Sequence, residues 1–329
     1  MKHIKWGVLS TSNFGINHLI PAISASETGS VQAIASRDTE KAKKVAGELN
    51  IPVSYGSYEE LLADDSIDAI YNPLPNHLHV PWTIKAMESG KHVLCEKPIA
   101  MNRSEAESLL QKARDYPGLK VMEAFMYRFH PQWKEVRSLL ERKEIGTVQS
   151  IHSVFNYYKD DPENIRNRPE MGGGGLMDIG CYCISLSRYL FGQEPDRVYG
   201  ELELDPVYGV DRKASGILRF KDKMATFSCS TKTHDYQRAI IYGTDGLIEV
   251  ERPFNPPGDK PAYIFHTKHG KRNTIETKAV DQYRLQVDAF GNSIINDTDA
   301  PTPLEDAVAN MSVIDAVFKS VKERAAVEM

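Results

Sequence analysis

The chain has 329 residues, enough at roughly 150 residues per domain for about two domains with a sizeable core, which excludes a fibre or a short peptide. Apolar residues make up 41% and charged residues 26%, and no stretch approaches the roughly 18 uninterrupted apolar residues of a membrane span. Lys plus Arg is 40 against 45 for Asp plus Glu, a formal net charge of −5 that is too weak and of the wrong sign for a nucleic-acid footprint. An anionic ligand therefore has to be held by a local site. Cys95, Cys181, Cys183 and Cys229 lack Cys-x-x-Cys spacing, and the N-terminus lacks the apolar run of a signal peptide, so a reducing, cytoplasmic setting is expected.

Over residues 1–122 short β-branched or apolar runs alternate with helical patterns, which predicts a parallel sheet built from βαβ units. Strands are expected at Ile4–Leu9, Val31–Ala35, Ile67–Tyr71, His92–Cys95 and Lys120–Ala124. Helices are expected at Asn17–Ser26, Thr39–Leu49, Tyr58–Leu62, Val80–Glu88 and Ser104–Asp115. Ser57 with Glu60, and Ser104 with Glu107, have capping-box spacing. Residues 123–329 read differently: a helix at Pro131–Arg142, then alternating segments including Val148–Tyr157, Arg197–Leu204, Ala214–Phe220, Ala225–Thr231, Arg238–Tyr242 and Leu247–Val250. Two helices follow, at Val280–Ile295 and Leu304–Lys322. The expected fold class is α/β, a doubly wound parallel sheet followed by an α+β domain with a mostly antiparallel sheet.

A dinucleotide site needs a strand, a tight turn and a helix N-terminus facing the pyrophosphate. Here the segment is Gly7-Val8-Leu9-Ser10-Thr11-Ser12-Asn13-Phe14-Gly15, with serines at the first two glycine positions of Gly-x-Gly-x-x-Gly and only Gly15 retained. Hydroxyl residues still let the backbone approach a phosphate; the alternative is a polar turn capping a core helix. After the second strand, where a carboxylate would meet a ribose 2′-hydroxyl, stand Ser36 and Arg37. That exchange favours NADP, with NAD possible.

Two further constellations carry chemistry. Glu96-Lys97-Pro98 follows the buried strand Val93-Leu94-Cys95 at the sheet's carboxyl edge, where the Lys97 ammonium could stabilise a developing alkoxide, unless the tripeptide is a plain surface turn. The run Gly172-Gly173-Gly174-Gly175 permits close backbone approach and leads into a helix that ends at Gly192. Asp178 and Tyr182 stand at i and i+4 there, a carboxylate and a phenol suited to orienting a hydroxyl and moving its proton, or else a helix-terminal charge and a core aromatic.

With these residues in view, the chain resembles the glucose-fructose oxidoreductase / inositol dehydrogenase / rhizopine catabolism protein (Gfo/Idh/MocA) family over essentially its whole length. The resemblance rests on Glu96-Lys97-Pro98, Gly173 to Gly180, Pro75-Asn76-His77-Leu78-His79, Glu123 to Pro131 and Pro303 to Ala307. Tyr182, where many members have histidine, is similar to the dihydrodiol dehydrogenase and D-xylose dehydrogenase-like subgroup. The resemblance implies an N-terminal Rossmann domain over 1–122 and an open-faced sheet domain over 123–329 that binds substrate and forms a homodimer or homotetramer. It implies hydride transfer to a small sugar-like molecule, with Lys97 and Tyr182 as catalytic pair and Asp178 orienting the substrate. Cofactor contacts are implied for Ser10, Thr11, Ser12, Asn13, Phe14, Ser36, Arg37, Pro73, Leu74, Asn76, His79, Glu96, Lys97 and Arg166. Substrate contacts are expected from Tyr127, Arg128, Phe155, Tyr158 and Tyr236 beside Asp178 and Tyr182. A non-catalytic cofactor-binding sensor on the same fold is the alternative.

Tyr116 and Lys120 match a Tyr-x-x-x-Lys pair, but Pro117 and Gly118 oppose the helix such a pair requires. Neither His77-x-His79 nor Cys181-x-Cys183 completes a four-ligand set, and no metal is expected.

Overall fold

The computed structural model describes His3–Met329. The chain divides into two units: residues up to Met126 together with Gln282–Val308, and Tyr127–Asp281 together with Ala309–Met329. One boundary after residue 122 therefore does not describe the division. Crossing occurs after Met126, and a later segment returns to the first unit.

The first unit holds a six-stranded sheet of β1 (Ile4–Leu9), β2 (Gly29–Ala35), β3 (Val53–Tyr55), β4 (Ala69–Asn72), β5 (His92–Cys95) and β6 (Val121–Glu123). All neighbours are parallel, in the order β3-β2-β1-β4-β5-β6. Ile4, Trp6, Val8 and Leu9 are fully buried, as expected for a strand covered on both faces. The intervening helices are α1 (Ile20–Ser24), α2 (Thr39–Glu48), α3 (Tyr58–Leu62), α4 (His79–Glu88) and α5 (Arg103–Ala113). Ser57 caps α3 as its spacing predicts, accepting from Glu60 N at 3.1 Å. At α5 the cap is Asn102 rather than Ser104: the asparagine is extended and accepts from Glu105 N at 2.9 Å, which puts Ser104 inside the helix.

The returning segment carries α8 (Gln282–Ile295). Its Phe290 is fully buried with its ring 5.8 Å from that of Trp6, and Asp288 accepts from Ser26 Oγ at 2.5 Å. This apolar and polar docking is the physical reason the segment rejoins a sheet whose last strand, β6, ends 159 residues earlier.

The second unit contains α6 (Pro131–Glu141), β7 (Val148–Tyr158), α7 (Cys181–Phe191), β8 (Arg197–Leu204), β9 (Asp211–Phe220), β10 (Lys223–Ser230), β11 (Lys232–Gly243), β12 (Gly246–Val250), β13 (Ala262–Lys268) and β14 (Lys271–Thr277). After α9 (Leu304–Glu323), whose later residues belong here, β15 (Val327–Glu328) completes a nine-stranded sheet ordered β14-β13-β12-β11-β7-β10-β9-β8-β15. Only β7 and β10 pair in parallel. Along β9, Ala214, Leu218 and Phe220 are buried while the intervening side chains are exposed, the period of a sheet covered on one face. The residues of α7 from Cys181 to Arg188 are all buried.

His130 caps α6 from a fully buried position, its Nδ1 accepting from Gln132 N at 3.2 Å. Acceptance requires the neutral ring, and burial pulls the pKa down from 6.5 to about 4.

Phe290→Ala is expected to destabilise the first unit by about 3–5 kcal/mol. Urea unfolding followed by tryptophan fluorescence measures it, and an unchanged midpoint would show that α8 is not part of that core. For His130 the unfolded ring takes up a proton before the folded one, so stability falls as pH drops from 6.5 toward 4. Between pH 7 and pH 5 the loss from this group is about 2 kcal/mol. His130→Asn retains a cap without titrating, and should flatten the difference in urea midpoints between those two pH values by that amount; an unaltered difference would remove His130 as its source.

Candidate active site

Because the first unit's strands are parallel, their carboxyl ends share one edge, and the strand order reverses between β1 and β4. In doubly wound sheets a ligand crevice lies outside that switch point. The loops there contain most of the residues singled out in the sequence.

Ser10, at the first glycine position of the turn, has φ +88°, a left-handed conformation that costs a serine roughly 1–3 kcal/mol. Its amide is tied to Ala35 O at 2.9 Å, which fixes the turn to the end of β2. Ser12 replaces the second glycine and caps the helix instead, its Oγ accepting from Gly15 N at 3.1 Å. A Cβ on Gly15 would lie 3.0 Å from Ser12 Oγ and about 3.5 Å from Tyr71, the close packing expected of the retained glycine. The first intrahelical bond is Ile16 N to Ser12 O at 3.0 Å, so the amides of Asn13 and Phe14 precede it and suit an external anion. Thr11 is buried, and the Phe14 ring lies 4.9 Å from His18 and 5.8 Å from Tyr283 of α8. Past β2, Ser36 Oγ accepts from Asp38 N and Arg37 is exposed, while the Asp38 carboxylate caps α2 through Lys41 N at 3.1 Å. The acidic group that follows Arg37 is thus spent on a helix.

The loop after β4 is held from within. Asn72, which the sequence reading passed over, donates to His79 O at 3.1 Å and Thr83 Oγ1 at 3.2 Å and accepts from Leu74 N at 3.3 Å. It thereby sets Pro73, Leu74 and Asn76, the last in a single 3₁₀ turn. His79 is 1% exposed with Nδ1 2.7 Å from Pro98 O and Nε2 2.7 Å from Leu74 O, so its ring joins the β4 and β5 loops rather than offering a nitrogen to a ligand. Burial pulls its pKa down to about 4 against those carbonyls, which favour the charged ring.

Buried Glu96 accepts from Tyr71 Oη at 2.8 Å and from Lys97 N at 3.3 Å, and the Lys97–Pro98 peptide is cis. Lys97 itself is half-buried. Glu123 at the end of β6 accepts from Ile99 N at 2.8 Å, closing the segment that carries the lysine, and Gln286 of α8 accepts from Phe125 N and Met126 N at 3.2 Å with its amide oriented toward them. Glu123 entered the sequence reading only as the start of the stretch to Pro131 that carries the resemblance, and Gln286 was not marked.

In the second unit, Leu176–Gly180 forms a wide π-helical turn ahead of α7, so Asp178 and Tyr182 are not separated by a regular α-helical turn. Asp178 is 9% exposed; its Oδ2 accepts from Arg166 Nε at 2.8 Å and from Tyr157 Oη at 2.5 Å. Arg166, expected at the cofactor, is therefore the ion-pair partner of Asp178, and the Asp178 carboxylate pushes the Tyr157 phenol well above its ordinary pKa after burial has done most of that work. Gly173 and Gly174 donate to Arg168 O and Arg166 O at 3.0 and 2.9 Å, and a Cβ on Gly173 would sit 2.6 Å from Arg166 O. The glycine run admits the chain's own backbone.

Tyr182 is 4% exposed within a ring cluster, with centroids 5.4 Å from Phe254, 5.6 Å from Phe155 and 5.9 Å from Tyr127. Tyr127 and Phe155, expected at the substrate, are likewise buried and pack against Tyr182. Arg128 turns to α7, donating to Ser185 Oγ at 2.7 Å beside Tyr127 Oη. Tyr158, at the end of β7, and Tyr236, within β11, are 65% and 47% exposed and lie outside the ring cluster. Phe254 completes the cluster from a loop with no periodic signal.

Comparison with known proteins accords with this arrangement. Residues 4–125 match the family model described as "Oxidoreductase family, NAD-binding Rossmann fold", and residues 133–249 match the GFO/IDH/MocA C-terminal domain. The chain is 39% identical over 326 residues to D-xylose 1-dehydrogenase (NADP(+)) 2 of Haloferax volcanii, covering 98% of this chain and 99% of that protein. It is 39% identical over 252 residues to trans-1,2-dihydrobenzene-1,2-diol dehydrogenase of Xenopus tropicalis, covering 75% and 74% of the two. The crystal structure of KijD10, a 3-ketoreductase from Actinomadura kijaniata in complex with NADP and TDP-benzene, superposes with a TM-score of 0.92 at 28% identity over 97% of this chain and 98% of that one. With a Rossmann-type parallel sheet and a mostly antiparallel second sheet, the chain belongs to the Gfo/Idh/MocA family of NAD(P)-binding oxidoreductases.

Proposed function

We propose that the protein is an NADP-dependent dehydrogenase or reductase acting on a CH–OH or C=O carbon of a sugar, sugar derivative or cyclic diol. The observation that carries the cofactor choice is the end of β2, where exposed Arg37 is available to a 2′-phosphate and Asp38 is committed to capping α2. The amides of Asn13 and Phe14 and the left-handed Ser10 would hold the pyrophosphate. The cofactor, when bound, supplies or accepts a hydride at nicotinamide C4.

The chain's own residues manage the proton and the charge. The Tyr182 phenol gives its proton to the carbonyl oxygen on reduction, and in the reverse direction its phenolate takes the proton from the hydroxyl. The Lys97 ammonium stabilises the alkoxide character that develops on that oxygen. Asp178, held by Arg166 and Tyr157, orients a substrate hydroxyl through its carboxylate. The named relatives support this class: one oxidises D-xylose with NADP, one a dihydrobenzenediol, and one is a 3-ketoreductase.

Lys97→Met and Tyr182→Phe are each expected to lower turnover by roughly 100-fold or more with NADP affinity nearly unchanged. A panel of aldoses, ketoses and cyclic diols, assayed for NADPH formation or oxidation, provides the measurement. Full activity in either variant would sink the assignment, and tight cofactor binding without turnover on any panel member would favour a sensor. Arg37→Ala is expected to weaken NADP by about tenfold or more while leaving NAD nearly unaffected, because a charge-assisted contact to phosphate is worth about 1.5–3 kcal/mol. Equal losses in fluorescence titrations of the two reduced cofactors would refute the 2′-phosphate contact.

A further inference from the structure

We propose that Asp211 is a positioning residue for Asp178 and Tyr182, its carboxylate reaching from the first position of β9 into the glycine run and fixing the turn that leads into α7. The inference rests on the reading of Asp178 and Tyr182 given above. Asp211 is 3% exposed, and its Oδ2 accepts from Leu176 N at 2.6 Å, with the Gly175 amide as a further donor. It acts as a helix cap supplied by a strand 35 residues downstream, where the turn has no capping side chain of its own.

The glycines are cut to this carboxylate. A Cβ on Gly174 would lie 2.0 Å from Asp211 Oδ1, and one on Gly175 would lie 3.4 Å from Oδ2. Gly174 also has φ +114°, outside the range of ordinary side chains, and its carbonyl accepts from Asp178 N at 3.0 Å. The backbone that Asp211 grips is therefore the backbone that places Asp178, and Tyr182 follows at the head of α7.

Burial pushes the Asp211 carboxyl up to about 7 against its backbone donors, and the Asp178 carboxylate pushes the same way. A group so costly to enclose needs a return, and the wide turn it secures is of a kind that concentrates at functional sites.

The test uses the full-length holoenzyme with Asp211→Ala and Asp211→Asn, with Tyr182→Phe alongside. Asparagine keeps one oxygen for the Leu176 amide, and alanine keeps none. Turnover of whichever panel sugar is active should fall about 100-fold in the alanine variant and about tenfold in the asparagine variant, as expected for misplaced reacting groups. NADPH affinity should stay within twofold in both. Turnover within twofold of wild type in Asp211→Ala overturns the inference, as does full activity of Asp211→Asn should the alanine variant not fold. Loss of fold in both, by circular dichroism, also overturns it, because the carboxylate then serves the unit rather than the site. Wild-type turnover in Tyr182→Phe would instead overturn the reading of the site. If no sugar turns over, that reading has failed by itself, and amide exchange across Leu176–Tyr182 decides the inference: unchanged rates in Asp211→Ala refute it.

Discussion

A nearly enclosed carboxylate must be given hydrogen-bond donors or it surrenders its charge, and much of the second unit is arranged to supply them to Asp178. Tyr157 comes from the end of β7 and Arg166 from a short turn that follows it. The turn around Arg166 is in turn set by Gly173 and Gly174, whose amides reach the carbonyls of Arg168 and Arg166. Only glycine permits that approach, since a Cβ on Gly173 would overlap the Arg166 carbonyl. The arginine, the glycines and the aspartate form one device, in which backbone contacts place the guanidinium and the guanidinium holds the carboxylate.

The first unit solves a different problem with similar means. Loops at the carboxyl edge of a parallel sheet have few ladder partners, so their backbone groups need side-chain acceptors and donors. Asn72 sets the loop after β4, Glu123 holds Ile99, and His79 bridges the two loops through Leu74 and Pro98. Their effect is that Lys97 projects from a segment fastened on both sides, by Glu96 before it and by Ile99 after it.

What was legible in the sequence follows from which interactions are local. Strand alternation, the helix from Cys181 to Phe191 and the cap at Ser57 are set by neighbours a few residues apart, and each was readable. Position past a buried strand was enough to mark Lys97, and the glycine run was enough to mark Asp178. The cap of α5 was misplaced because Asn102 and Ser104 are both competent caps two residues apart, and only the extended backbone at Asn102 decides between them. Tyr157, Asp211, Glu123 and Phe254 act across 21 or more residues, through pairings that no local period encodes. The signal that could have found Tyr157 is weak: it ends the alternation of β7 just before the chain turns to Arg166. Tyr127 and Phe155 were expected at the substrate, and the structure sets their rings beside that of Tyr182.

That cluster bears on how the proposed proton transfer would operate. Four rings, Tyr127, Phe155, Tyr182 and Phe254, meet at tilted, edge-on and stacked angles, and each contact restricts the rotation of its neighbours. Tyr127 is itself anchored by Ser185 of α7, one turn beyond Tyr182, so ring and helix are fixed to each other. A phenol confined in this way has little rotamer freedom left to lose when a substrate arrives. The ordering cost of the proposed proton transfer would be met by packing during folding, and the transfer would then require movement of a hydrogen rather than of a side chain.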